Sequence, residues 1–419
     1  MPKLLAFLAA CVFLPCLSIH AEQAPDETLP LKDRVIIASR IYSDIQIYFG
    51  HWQGIPGFDL NAEYAAYLDK VLATGDRKTF DLATMAFMAK LQNGHSGFRD
   101  PWFQNTYGQQ LHFYALPVDG KWIITQSDLP ELKVGAVITA LNGEPFESFY
   151  EHCRPYISAS DESWRRRALF EYPYLFPESF DLTLNDGRHV SIHRNGAFRY
   201  ASSSHTTIDV TNRDGILIIH IPAFQPPNLE TDALEAVKKA GSVKAIIIDV
   251  RGNHGGSTPQ DLVAALMDRP YRFFAESTPA HLASLQLYDS PGTHTELHWY
   301  GGTLDPSTPH YTGPLFILTD GGCFSACEDF VVSFKDNHRA TIIGERTAGS
   351  SGQPYEHRFE NGMVFGLSTK REFLPDGSPF EGVGIAPDIE VPIHVEDLAS
   401  GRDPALEKTL SLAQPAAAR

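Results

Sequence analysis

Residues 215–222 (GILIIHIP) and 243–250 (VKAIIIDV) are continuous apolar runs with no polar face. A strand of that kind is buried on both sides, as in a parallel sheet covered by helices. Between them, residues 229–240 carry apolar side chains at three- and four-residue spacing, the pattern of an amphipathic helix. Strand, helix, strand predicts a parallel α/β core. Two further runs, PLFILTD (314–320) and ATIIG (340–344), supply more buried strands, so the core is expected over 206–398.

The loops that follow these strands carry the candidate chemistry, because α/β proteins place ligand sites at the carboxyl ends of their strands. After the second run comes RGNHGGS (251–257). It lacks the Lys-Ser/Thr ending of a phosphate loop. It is either a tight turn or a loop whose Gly255 and Gly256 amides face a developing oxyanion. After PLFILTD, Gly321 and Gly322 allow a sharp turn, and Ser325 stands just before an apolar-striped helix. A serine there is either a helix N-cap or a nucleophile at an exposed elbow, with unpaired helix amides such as that of Ala326 beside it.

The rest of the chain divides around this core. Residues 27–100 read as helical, from Leu31 to Phe49 and from Tyr64 to Leu91, ending at Gly94 with His95 in a glycine-flanked loop. Residues 103–200 read as short strands with an Asn142–Gly143 turn, and their order is similar to a PDZ domain, which grips peptide ends by adding them as a strand. Residues 271–312, rich in Pro, Gly, Tyr and His, are long enough for a flap over a cleft. His281, His294, His298 and His310 there lack metal-ligand spacing, so neither a metal nor a cofactor is expected. Residues 363–374 are expected to form a strand pair, and the Ala-rich stretch 400–419 a loose tail.

Residues 1–21 read as a secretory signal peptide, with Lys3, the apolar stretch Leu4 to Leu17, and a small residue at Ala21. That predicts a periplasmic or secreted protein, and no other run approaches the length of a membrane span. The formal charge of −17 argues against nucleic-acid binding and offers no basic face to anionic lipid. Cys153, Cys323 and Cys327 remain beyond the signal; the last two are read as small buried side chains packing the elbow rather than as a bridge.

Four pieces in order resemble the C-terminal processing and tricorn family of serine peptidases: DVRGNHGG (249–256), CFSACE (323–328), GERTAG (344–349) and EGVGIAPD (381–388). The resemblance implies a core of the Clp-protease/crotonase type behind a helical N-terminal region and a PDZ-like, β-rich domain. It implies cleavage of proteins or peptides, with oligomers possible. One branch of the family activates its serine with a lysine directly after GERTAG; here that position is Ser350, and Lys335 does not replace it. The tricorn branch uses a histidine from an N-terminal segment, and Gly94–His95–Ser96 resembles that motif. The resemblance therefore implies Ser325 as nucleophile, His95 as base, and Gly256 or Gly255 with Ala326 as the oxyanion hole. It implies Glu381 as the distant third member. The tricorn branch has an orienting serine before its histidine; Gly94 stands there, leaving Ser96 as a substitute, and Glu328 is expected to stabilise the elbow. Two other readings share this core: a catalytically silent protein that binds peptide or an apolar ligand, and a crotonase-type enzyme acting on coenzyme A thioesters, which export disfavours.

Overall fold

The computed structural model describes residues 27–198, 206–281, 295–299 and 301–414. The stretch 1–21 read above as a signal peptide, His294 and the last five residues lie outside them. Three helices open the described chain: α1 (Leu31–Tyr48), α2 (Leu60–Ala73) and α3 (Arg77–Ala89). The helical stretch expected from Tyr64 to Leu91 breaks in two because Asp76 caps α3 with its own carboxylate, accepting from the Thr79 amide. Strand β1 (Gly97–Arg99) follows.

A six-stranded antiparallel sheet comes next: β2 (Phe113–Val118), β3 (Lys121–Ser127), β4 (Val137–Leu141), β5 (Ser179–Leu184) and β6 (His189–His193) pair in that order, and a two-residue strand at Glu144–Pro145 pairs with β4 off this path. Helices α4 (Phe146–Cys153) and α5 (Glu162–Ala168) lie between β4 and β5, over a core that includes Trp122, Phe146, Tyr150 and Phe180. Cys153 is a buried free thiol, pushed up to about 12 by burial.

The core sheet adds β7 (Asp209–Arg213), β8 (Ile216–His220), α6 (Asn228–Lys239) and β9 (Ala245–Asp249). A hairpin of β10 (Ala275–Ala280) and β11 (Thr295–Trp299) precedes β12 (Leu315–Thr319), α7 (Ala326–Asn337) and β13 (Thr341–Gly344). Then come β14 (Pro354–Arg358), β15 (Val364–Ser368), β16 (Arg371–Phe373), β17 (Ile389–Glu390) and a last helix, α8 (Pro404–Ala413).

The six-stranded core sheet runs β17-β13-β12-β9-β8-β7, parallel except at β7. The unbroken apolar runs now have their reason. Leu217, Ile219, Ile246, Ile248 and Ile317 face α6 and α7, while Ile216, Ile218, Ile247, Phe316 and Leu318 face α8. With helices on both faces, every position along a strand must be apolar.

Two expectations need correction. The strands within 363–374 are not partners: β15 pairs with β14 and with β1, and β16 pairs with β10. Nor are residues 404–413 loose. Asp403 caps α8 through the Leu406 amide, Pro404 takes the first turn, and Ala405 and Ala413 are buried. Asp403 also receives both arms of the Arg251 guanidinium at 2.8 Å each, while Arg251 holds Asp249 at the end of β9.

Pairing of β1 with β15 (Gly97 opposite Gly366) delivers the segment ending α3 to the core, so His95 reaches the strand ends from far upstream. Because Asp403 both caps a helix and clamps Arg251, Asp403→Ala should lower stability by about 1–3 kcal/mol. Urea unfolding checks this, and a loss below about 0.5 kcal/mol would mean the last helix contributes little.

Candidate active site

Strand β12 ends at Thr319, and the chain turns through Gly321 and Gly322 to Ser325, which has φ 59° and ψ −126°. Positive φ is costly for a residue with a Cβ and persists only where the surroundings enforce it. Several contacts do so. The Ser325 amide donates to Ser350 O at 3.1 Å, and the Glu328 and Asp329 amides donate to Ser325 O. A Cys323–Cys327 disulfide brackets the residue. That bridge corrects the expectation of two unpaired cysteines: the elbow brings their Cα atoms to 5.3 Å, within the range a disulfide spans. Ser325 occupies the N-cap position, yet its side chain makes no cap hydrogen bond. Its Oγ lies instead 2.9 Å from His95 Nε2.

The imidazole is fixed from several directions. His95 stacks on Phe324, ring centroids 4.6 Å apart, and Phe324 stacks on Trp164 of α5 at 4.5 Å. The His95 backbone amide donates to Asn93 Oδ1, and Nδ1 lies 3.2 Å from Ser350 Oγ. Burial lowers the His95 pKa to about 3, with the neighbouring His51 adding to the effect, so the ring is neutral at neutral pH. A neutral ring hydrogen-bonded to a hydroxyl can accept its proton.

Behind the imidazole runs a polar chain. Ser350 Oγ is 2.9 Å from Ser160 Oγ, which is 2.7 Å from Glu381 Oε1. Glu381 also accepts from Asn93 Nδ2 at 2.9 Å and from the Ser351 amide, and its side chain is 9% exposed. It is no surface charge. Burial pushes its carboxyl up to about 7 against those donors.

Ser96 does not orient the ring. Its Oγ donates to Asn93 and accepts from the Ser368 amide, because successive residues entering a strand point opposite ways. The hydroxyl at Nδ1 is Ser350, and the glycine before the histidine explains it. A Cβ on Gly94 would stand 2.8 Å from Ser350 Oγ and 2.9 Å from the Phe324 ring. Glu328 acts one step further back. Fully buried, it accepts from Thr347 Oγ1, the Gly349 amide and the Ser350 amide at 2.6–2.8 Å, and so fixes the loop that presents Ser350.

On the other side of Ser325 lies the 251–257 loop. A Cβ on Gly255 would meet Phe324 O at 2.6 Å and the Ala326 amide nitrogen at 2.8 Å, so only glycine lets the loop lie against the elbow. The Gly255 amide donates to Asn253 Oδ1 at 2.8 Å and is not available to a ligand. The amides of Gly256 and Ala326 have no partner among the described residues. Sequence reasoning had no signal for Ser160, which reaches the site from a distant segment, or for Asn93, two residues before His95. Ser350 stood out only as the place of a missing lysine.

A hydroxyl on an imidazole, beside two open amides, can carry acyl transfer. Residues 215–391 match Peptidase family S41, and the chain carries a domain of that family. Over 91 residues it is 36% identical to a carboxy-terminal-processing protease of Bartonella bacilliformis, covering 22% of this chain and 21% of that protein. Over 161 residues it is 26% identical to carboxyl-terminal-processing peptidase 2, chloroplastic, of Arabidopsis thaliana, covering 38% and 28%. The crystal structure of mature CPAF matches with a TM-score of 0.70 at 17% identity, covering 91% of this chain and 96% of that one, so the two share a fold. The chain spans 24%, 15% and 20% of the first three curated relatives it matches.

The raised Glu381 pKa has a consequence for stability. Against an ordinary value near 4.5, a folded value of about 7 means its contribution is complete below about pH 4.5 and is lost as pH rises through about 7. Thermal melting from pH 4.5 to 8 should therefore fall more in the wild type than in Glu381→Gln, which cannot ionise. Parallel curves for the two would contradict the assignment.

Proposed function

We propose that this chain is an exported serine peptidase that hydrolyses peptide bonds of proteins or peptides, with Ser325 and His95 as its nucleophile and base. The observation that carries the reading is the 2.9 Å contact between His95 Nε2 and Ser325 Oγ at a backbone held in the left-handed region.

Ser325 Oγ attacks the scissile carbonyl carbon as its proton passes to His95 Nε2. The carbonyl oxygen, now negative, takes hydrogen bonds from the Gly256 and Ala326 amides; each such donor contributes about 3 kcal/mol in the transition state. His95 then gives the proton to the leaving amine, and the C–N bond breaks to leave an ester on Ser325. Water attacks that ester, His95 takes the water's proton, and Ser325 Oγ leaves with it. Ser350 accepts from Nδ1–H and so fixes the tautomer with Nε2 free to accept. Ser160 and Glu381 hold Ser350 in turn. Glu328 and Asn93 position this chain without touching substrate.

Residues 27–100, 103–200 and 206–398 serve in this reading as a histidine-bearing helical unit, a PDZ-type unit and the peptidase core. The antiparallel sheet of β2 to β6 with α4 supports the PDZ-type assignment. Export rests on the sequence pattern of residues 1–21, and the disulfide at the elbow agrees with an oxidising compartment.

A fluorophosphonate probe should label wild-type protein on Ser325 and leave Ser325→Ala unlabelled. His95→Ala should slow labelling by about 10²–10⁴-fold, the usual worth of a general base. Because the ring titrates near 3, the labelling rate should hold its plateau well below pH 6.5, the midpoint of an ordinary histidine. Absence of labelling in the wild type would overturn the peptidase reading.

A further inference from the structure

The cleft in front of Ser325 measures about 920 Å³ and continues past the nucleophile into a corner with an unusual floor. Asp329 stands four residues after Ser325 on α7, hence on the same face one turn down. It is 6% exposed and accepts from Thr258 Oγ1. Glu372 of β16, 2% exposed, lines the same corner, and Glu276 sits directly across from it on β10. One ammonium pairs with two of these three carboxylates. Lys370 Nζ lies 2.8 Å from Glu276 Oε2 and 2.9 Å from Glu372 Oε1. The other oxygen of Glu372 is buried and has no hydrogen-bond donor.

The walls above this floor are apolar: Phe273, Phe274 and Trp299 line the cleft. An aliphatic side chain entering the corner would shut a donor-less carboxylate further away from water, which costs free energy with no return. An acidic side chain would add a fourth carboxyl to a corner with a single ammonium. A long side chain with methylene carbons and a cationic tip matches both wall and floor. The corner lies on the side of Ser325 that carries the Gly256 and Ala326 amides, through Thr258 and Asp329. It therefore neighbours the acyl half of a bound peptide.

Building on the peptidase reading above, we propose that this corner receives a lysine or arginine side chain from the residue on the acyl side of the cleaved bond, with Asp329 and Glu372 as its counter-charges. The cation donates its hydrogen bonds to Glu372 Oε2 and the Asp329 carboxylate, while Lys370 keeps Glu276 and Glu372 Oε1. No covalent step beyond the peptidase cycle is involved.

The test uses the full chain and peptide aldehydes, which occupy the acyl side alone. Short peptides ending in argininal, leucinal or glutamal compete with a fluorophosphonate for Ser325. Argininal should protect Ser325 at a concentration at least tenfold lower than leucinal, and glutamal should protect least. The argininal-to-leucinal ratio should collapse toward one in Glu372→Gln, which keeps size and shape, and in Asp329→Asn. Equal protection by argininal and leucinal, or better protection by leucinal, in a protein whose Ser325 is labelled would overturn this specificity while leaving the peptidase reading intact. Loss of labelling itself would overturn the peptidase reading, and this one with it. A ratio unchanged in both variants would show that these carboxylates do not read the side chain.

Discussion

The left-handed backbone of Ser325 is the constraint on which the rest of the site depends. Left alone, a residue with a Cβ leaves that region at a gain of about 1–3 kcal/mol. The structure opposes this with contacts from several segments: the disulfide around the elbow, the Ser350 carbonyl on the Ser325 amide, and the close-lying 251–257 loop. Relaxing the turn would move Oγ away from the imidazole and the Ala326 amide away from the Gly256 amide together. In the proposed mechanism, nucleophile and oxyanion donors are therefore one geometric unit.

Each part of the chain contributes a piece that is inert without the others. The helical segment brings Asn93 and His95, the β-rich unit brings Ser160 and Trp164, and the core brings Ser325, Ser350 and Glu381. The pieces meet through a column of three rings, Trp164, Phe324 and His95, and through a polar chain ending at a carboxylate with three donors. A site assembled this way reports on the docking of whole units, because displacing any one removes a contact from the imidazole or from the groups that hold it.

The sheet was legible in the sequence because both of its faces are covered. Ile216 to Ile219 and Ala245 to Ile248 have no polar alternation to misread, and helices on each side demand that. The elbow was legible because glycines and a helix pattern bracket Ser325. What escaped was whatever depends on long-range placement. Ser160 lies in a loop with no local pattern and is significant only by its 2.7 Å contact with Glu381. The break between α2 and α3 needed the Asp76 cap to outweigh apolar spacing that runs straight through it. The last helix was hidden because its alanines suit either a solvated tail or a close-packed face, and only the sheet beneath decides. The disulfide was missed because four-residue spacing is as suitable for packing as for bonding, until a tight turn sets the distance.

Gly94 and Ser350 share one small volume: a Cβ on the first would press on the hydroxyl of the second. Two positions 256 residues apart therefore behave as a single two-letter word. Serine spells correctly only beside glycine here, and a side chain placed at the first letter forces a new spelling at the other and a shift of the Phe324 ring. Any comparison that scores each site independently will miss that the two positions are read together.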